Sequence, residues 1–285
     1  MRQCFFVSDI HGHVDRYRKL FAKIEKSRPA AVFIGGDIMP HGIYRASNDA
    51  AGDFVSDYLA SEFRKLREKL GEEYPRVFLI LGNDDGRDVE IDAESVAEAG
   101  LWEYVHNRRA SCEGHAVYGY SYVPPTPFML KDWEKYDVSR HVDPGCVSPE
   151  EGFRTVDVSA DEARYSTILK DLEKLLGNDD TSSAVLLCHT PPYDTNLDRA
   201  ALDGRMVDHA PVDVHVGSIA VRRMIENKQP LLALHGHIHE SARITGSWRD
   251  RIGGTILFTA AHDGPHLAIV RFSLENPEDA VRDLI

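Results

Sequence analysis

The chain has 285 residues, 42% hydrophobic and 28% charged, the composition of a globular protein with a sizeable core; a disordered, collagen-like or disulfide-stapled chain is excluded. With 46 acidic against 33 basic side chains the net charge is −13, which opposes tight, sequence-independent binding to nucleic acid but leaves room for a local phosphate site. No apolar run approaches the ~20 residues of a membrane helix, and the run 4–7 is too short for a signal-peptide core, so a cytoplasmic protein with no membrane partner is expected. Cys4, Cys112, Cys146 and Cys188 show no C-x-x-C spacing and read as reduced thiols.

Residues 3–8 and 31–34 read as short buried strands, separated by a helix whose Tyr17, Leu20, Phe21 and Ile24 fall on one face. A second helix over 49–70 leads through Pro75 into a third strand, 77–81, of the continuous apolar kind found in sheets covered on both faces; the first third therefore reads as doubly wound α/β. After a short helix at 93–99, two β-like runs, 109–112 and 116–120, are joined by the turn signal Glu113-Gly114. Between 121 and 157 the periodicity stops. Pro124, Pro125, Pro127, Pro144 and Pro149 stand there with Phe128, Trp133 and Tyr136, too aromatic for a linker and too irregular for a sheet. An ordered insertion within a single domain, 1–285, is expected, flanking the functional crevice as long irregular segments commonly do.

Ser159 and Glu162 have capping-box spacing, and Tyr165, Ile168, Leu169, Leu172, Leu175 and Leu176 continue as one amphipathic helix. A strand at 184–188, an irregular stretch at 191–217, a helix at 218–227 stopped by Pro230, and strands at 231–234, 255–260 and 267–272 complete a mixed fold.

The chain carries 14 histidines, and several stand with carboxylates just after an apolar strand. The clusters are Asp9-Ile10-His11, Gly35-Gly36-Asp37, Gly82-Asn83-Asp84-Asp85, and His189 with Gly236-His237-Ile238-His239. Ligands of open α/β sheets bind outside the carboxyl ends of the strands, so these residues converge although they are far apart in sequence. Singly, each has an ordinary reading: Asp9 and Asp37 as turn or cap residues, His189 as a core histidine, His237 and His239 as solvated edge residues. Their joint occurrence at strand ends favours a metal site. Imidazole, carboxylate and amide donors without thiolate suit Mn²⁺, Fe²⁺ or Zn²⁺ better than Ca²⁺ or Mg²⁺. Seven donors exceed the three or four of one catalytic zinc, and two ions sharing a carboxylate is the economical arrangement.

The ordered set D-x-H, G-D, G-N, a lone His and G-H-x-H, from Asp9 to His239, resembles the calcineurin-like metallophosphoesterase superfamily. The ending His-Gly-His-Ile-His-Glu and the stretch 217–230 look like its prokaryotic Icc-related members. The resemblance implies a four-layer α-β-β-α sandwich of two mixed sheets flanked by helices. It also implies two divalent ions: Asp9, His11 and His239 on one, Asn83, His189 and His237 on the other, and Asp37 bridging.

One position departs from the pattern: Asp84 stands where most members have His, the residue that touches the scissile phosphate or assists the leaving group. Asp37, Asn83 and Asp84 are thus the residues expected at the reacting phosphate. The expected activity is hydrolysis of a small phosphate ester, diesters in preference to monoesters, by a metal-bridging hydroxide; nucleic acid is not expected as a partner. The alternative is a catalytically weak or inactive interaction module on the same fold, favoured by Asp84 alone. His13, His41 and His215 are candidate substrate contacts; His235 and the pair His262-Asp263 read first as structural.

Overall fold

The computed structural model describes residues 2–40 and 54–285; His41 and the expected first residues of the second helix, 49–53, lie outside the described residues. The chain runs β1 (Cys4–Val7), α1 (Val14–Ser27), β2 (Ala31–Gly35), α2 (Ala60–Leu70, preceded by a π-helical turn), β3 (Arg76–Ile80), α3 (Glu90–Glu98) and β4 (Glu103–Tyr104). There follow β5 (Arg109–Cys112), β6 (His115–Tyr120), α4 (Ala160–Tyr165), α5 (Ile168–Leu176), β7 (Val185–Cys188), β8 (Met206–Val207) and β9 (Ala210–Pro211). Last come α6 (Ile219–Lys228), β10 (Leu232–His235), α7 (Ser241–Thr245), β11 (Arg249–Ile252), β12 (Thr255–Thr259), β13 (Ala268–Phe272) and β14 (Val281–Leu284).

Two mixed sheets, each of 6 strands, stack face to face with helices outside, in the orders β14-β13-β1-β2-β3-β4 and β11-β12-β10-β7-β6-β5. Strand alternation builds this sandwich. In β1, Phe5 and Val7 pack with Tyr17, Leu20 and Ile24 of α1, while Cys4 and Phe6 point the other way, into the layer between the sheets. That inner layer is aromatic: the Phe33 ring lies 5.1 Å from that of Phe78 and 5.9 Å from that of Phe272. Burial on both faces is why these strands carry unbroken apolar runs.

The doubly wound expectation is corrected on one point. β1 to β4 lie side by side in chain order and parallel, so crossovers of one hand place α1, α2 and α3 on the same face, and the second sheet covers the other. The helix expected from Ser159 to Leu176 is two helices. Ser159 caps α4 by accepting the Glu162 N–H, but Ser166 and Thr167 are extended, and Thr167 accepts the Lys170 N–H to start α5. Within the two six-stranded sheets, the strands that sequence periodicity does not show, β4, β11 and β14, are all edges, short or carrying charges such as Arg249, Arg251, Arg282 and Asp283; the short pair β8 and β9 also lies in a stretch expected to be irregular. The four cysteines are free thiols. Among the described residues no helix is long and apolar enough to cross a membrane.

His106, buried against Trp133 with ring centroids 4.9 Å apart, accepts the Ser121 N–H at Nδ1, 3.1 Å away. Burial, assisted by the charge of Lys135, pushes it down to about 3. The folded state thus refuses a proton that the unfolded chain binds below its ordinary value, so this contribution is complete at neutral pH and is lost as pH falls from about 6.5 towards 3. Urea unfolding between pH 6 and 4 should show wild type losing up to about 1.4 kcal/mol per pH unit more than His106→Gln, whose amide oxygen keeps an acceptor; equal slopes would contradict the assignment.

Candidate metal centre

All five motif segments emerge from carboxyl ends of neighbouring strands: β1, β2 and β3 in one sheet, β7 and β10 in the other. Backbone hydrogen bonds lock the segments together. Asp9 N–H donates to Gly36 O at 3.0 Å, His11 N–H to Asp37 O at 2.8 Å, and Gly236 N–H to His189 O at 2.9 Å. Asp9, His11, Asp37 and His237 adopt left-handed backbone angles, φ 56°, 50°, 52° and 73°, conformations that non-glycine residues hold only when their surroundings compel it. Glycine permits the close approach at two points. A Cβ on Gly36, itself at φ +94°, would stand 2.8 Å from Gly82 N and His189 Nδ1, and one on Gly82 would stand 2.3 Å from Asp37 Oδ1.

The donor atoms of Asp9, His11, Asp37 and His239 all lie within 4.8 Å of one another. His11 Nε2 and His239 Nε2 are 3.0 Å apart, His239 Nε2 is 3.2 Å from Asp9 Oδ1, and His11 Nε2 is 3.9 Å from Asp37 Oδ2. A first-row ion with bonds of about 2.1 Å has ligand-to-ligand edges of about 3.0–3.4 Å, so this donor set fits one with small adjustments. On the other side of Asp37, His189 Nε2 lies 3.4 Å from Asp37 Oδ2 and 3.1 Å from Asn83 Oδ1, and the His237 ring centroid is 5.3 Å from that of His189. His189 Nδ1 donates to Gly35 O at 2.7 Å, which leaves Nε2 as the atom facing Asp37.

The site is built to hold positive charge. Burial alone would lower the imidazolium of His189, yet the Asp37 carboxylate outweighs it and raises the group to about 10; His239, bonded to Asp9, is likewise brought up to about 9 against burial. Burial would raise the Asp9 carboxyl, but His239 brings it down to about 2, and Asp37 is held well below the usual carboxylate range chiefly by His189. His237 is pushed down to about 3, by burial and by the charge of His189.

Asp84 is 32% exposed at its side chain, with Oδ2 3.7 Å from His11 Nδ1, and its Oδ1 accepts the Asn83 amide N–H at 3.3 Å. Of the other expected contacts, His215 lines the adjoining cleft, its Nδ1 2.8 Å from the buried Asp198, whereas His13 is exposed at the start of α1 and is not among the residues lining that cleft. His41 lies outside the described residues. His235 is buried and bonds the Cys188 and Thr190 carbonyls through Nδ1; Asp263 pairs with Arg243. Trp133 and Tyr136 are core residues. From the irregular segment, residues 124–128, 137–139, 141 and 143–146 line the cleft together with Asp84.

Asp85 was not singled out from the sequence by itself. Fully buried, it accepts the N–H groups of Met39 at 2.8 Å, Gly82 at 2.8 Å and Ile38 at 3.2 Å, tying the loop after β2 to the loop after β3. Burial, then the neighbouring Asp37, raises it to about 7. Only its place in the run Asn83-Asp84-Asp85 could have drawn attention to it.

The sequence pattern of the calcineurin-like phosphoesterases matches residues 4–241. The chain belongs to that family. The family uses divalent metal ions, and membership implies metal-dependent phosphoester hydrolysis. Comparison with curated proteins gives no match. Among solved structures, the protein TT1561 of Thermus thermophilus is 16% identical over 99% of this chain and 98% of its own, with a TM-score of 0.54. A dimetal phosphatase from Danio rerio is 14% identical over 99% and 95%, with a TM-score of 0.56. At these identities the likeness is one of fold.

Asp85→Ala should leave three N–H groups without their acceptor, at roughly 1–3 kcal/mol each for those that water cannot reach. Denaturant unfolding should show a loss of about 3 kcal/mol or more together with weakened metal binding; an unchanged midpoint would contradict the tying role.

Proposed function

We propose that this phosphoesterase is a dinuclear enzyme that prefers phosphodiesters to monoesters. The observation that carries the reading is the position of Asp37, whose Oδ2 is 3.9 Å from His11 Nε2 and 3.4 Å from His189 Nε2. One carboxylate is thereby offered to both donor sets: Asp9, His11 and His239 on one side, Asn83, His189 and His237 on the other. When bound, the two ions neutralise charge building on the phosphoryl oxygens and acidify a water.

The chain's own residues do the positioning. Gly35 O fixes the His189 tautomer. The Asp84 N–H donates to Asp37 Oδ1 at 2.8 Å, so Oδ2 is the oxygen that faces both His11 and His189. Asp84 also holds the Asn83 amide group with its nitrogen turned towards Asp84 and its oxygen towards His189.

The preference for diesters follows from charge. Asp84 lines the cleft at the phosphate end, and a monoester dianion brings one more negative charge towards it than a diester does. At about 5 Å and an effective dielectric of about 20, that extra charge costs about 3 kcal/mol before the screening that partial exposure brings. The metal-loaded protein should hydrolyse bis-p-nitrophenyl phosphate faster than p-nitrophenyl phosphate, and no turnover of the diester would contradict the enzymatic reading. In Asp84→His the repulsion is removed and a proton donor introduced, so monoester kcat/KM should rise by about 10-fold or more relative to diester kcat/KM. An unchanged ratio would remove Asp84 as the cause.

A further inference from the structure

The cleft does not end at the phosphate. It has a volume of about 1280 Å³, beyond the roughly 300–1,000 Å³ of ordinary small-molecule pockets, and a phosphoryl group needs only a small part of it. Away from the donor residues its lining includes two apolar groups, Pro124, Pro125 and Phe128 from the irregular segment and Leu202, Met206 and Val207 from the region of β8. Phe128 and Met206 are each 58% exposed, large apolar side chains left facing water where covering them would be favourable.

The charges in the same lining narrow the occupant. Asp143, Asp213 and Glu240 line the cleft together with Asp84, and Arg205 is the one Arg or Lys among the described lining residues. A second phosphate, or a polyanionic group such as a nucleoside polyphosphate, would meet repulsion there with a single cation to offset it. An uncharged apolar group meets none.

We infer that the substrate is a phosphodiester with a lipid-like arm, an alkyl, acyl or prenyl chain that lies between segments 124–128 and 202–207 while the phosphate sits at Asp37 and Asn83. The inference rests on the diesterase reading above and adds to it the chemical class of one ester group. The irregular segment and the β8–β9 hairpin region then have a common purpose: each supplies one apolar group of the lining.

The test compares p-nitrophenyl octyl phosphate with p-nitrophenyl methyl phosphate on the manganese-loaded protein below micellar concentrations. The leaving group is the same in both, so the chemical step is held constant. The octyl ester should have the higher kcat/KM by at least about 10-fold, mainly through KM, and Phe128→Ser with Met206→Ser together should shrink that ratio severalfold. As a readout independent of turnover, octylphosphonate should raise Tm more than methylphosphonate does, and the double variant should lose the difference. Turnover of both esters with a ratio near one, and equal Tm shifts, would overturn this inference alone. Failure to turn over either ester with metal bound would overturn the diesterase reading and this inference with it.

Discussion

A buried carboxylate between two imidazoles is the interaction on which the rest of the centre depends. Asp37 lies where the end of β2 meets the loops of the second sheet, out of contact with bulk water, and its charge is held by His189 on one side and His11 on the other. Removing such a charge from water is expensive unless positive partners surround it. Much of the local architecture supplies them: the His189 ring fixed by Gly35 O, the Asp84 N–H, and the left-handed turn that brings Asp37 to this place. A divalent ion would meet the same need more strongly than a protonated histidine.

The fold makes that arrangement attainable. Parallel strands in both sheets end on the same edge of the sandwich, so residues from Asp9 to His239 meet although their strands belong to different sheets. The apolar layer of Phe6, Phe33, Phe78 and Phe258 fixes the distance between the sheets, and hence the distance between the two sets of loops. Asp85 fastens the loops within the first sheet, while Gly36 and Gly82 permit contacts that any Cβ would block. Rigid strands with short, strained turns keep donor atoms within a few tenths of an ångström of useful positions, which loops alone would not do.

The core strands and the motif residues were legible because their signals are local: apolar runs of about four or five residues, each followed directly or after one or two glycines by a polar residue. The ends of β1, β2, β3, β7 and β10, where the motif residues sit, all belong to this class. The edge strands were not legible, because β11 and β14 carry charged residues in place of an apolar run, bury little, and are held by backbone pairing to the adjacent strands β12 and β13. The break between α4 and α5 was hidden by an apolar pattern that continues across Ser166 and Thr167, and it is decided by the Thr167 cap. Asp85 was hidden for a different reason: whether a carboxylate faces solvent or three backbone N–H groups depends on a turn whose path the sequence does not display. Single strands also could not tell a sheet wound on both faces from one covered by a second sheet, since both bury the same residues.

The central claim is that Asp37 is shared by two ions, and the most direct measurement is the manganese content and electron paramagnetic resonance spectrum of the reconstituted protein beside those of Asp37→Asn. The account predicts about two Mn²⁺ per chain with the signature of a magnetically coupled pair in the wild type, and loss of that coupling in the variant with at most one tightly held ion. A wild type that saturates at one ion, or an Asp37→Asn protein that retains the coupled pair, would contradict it.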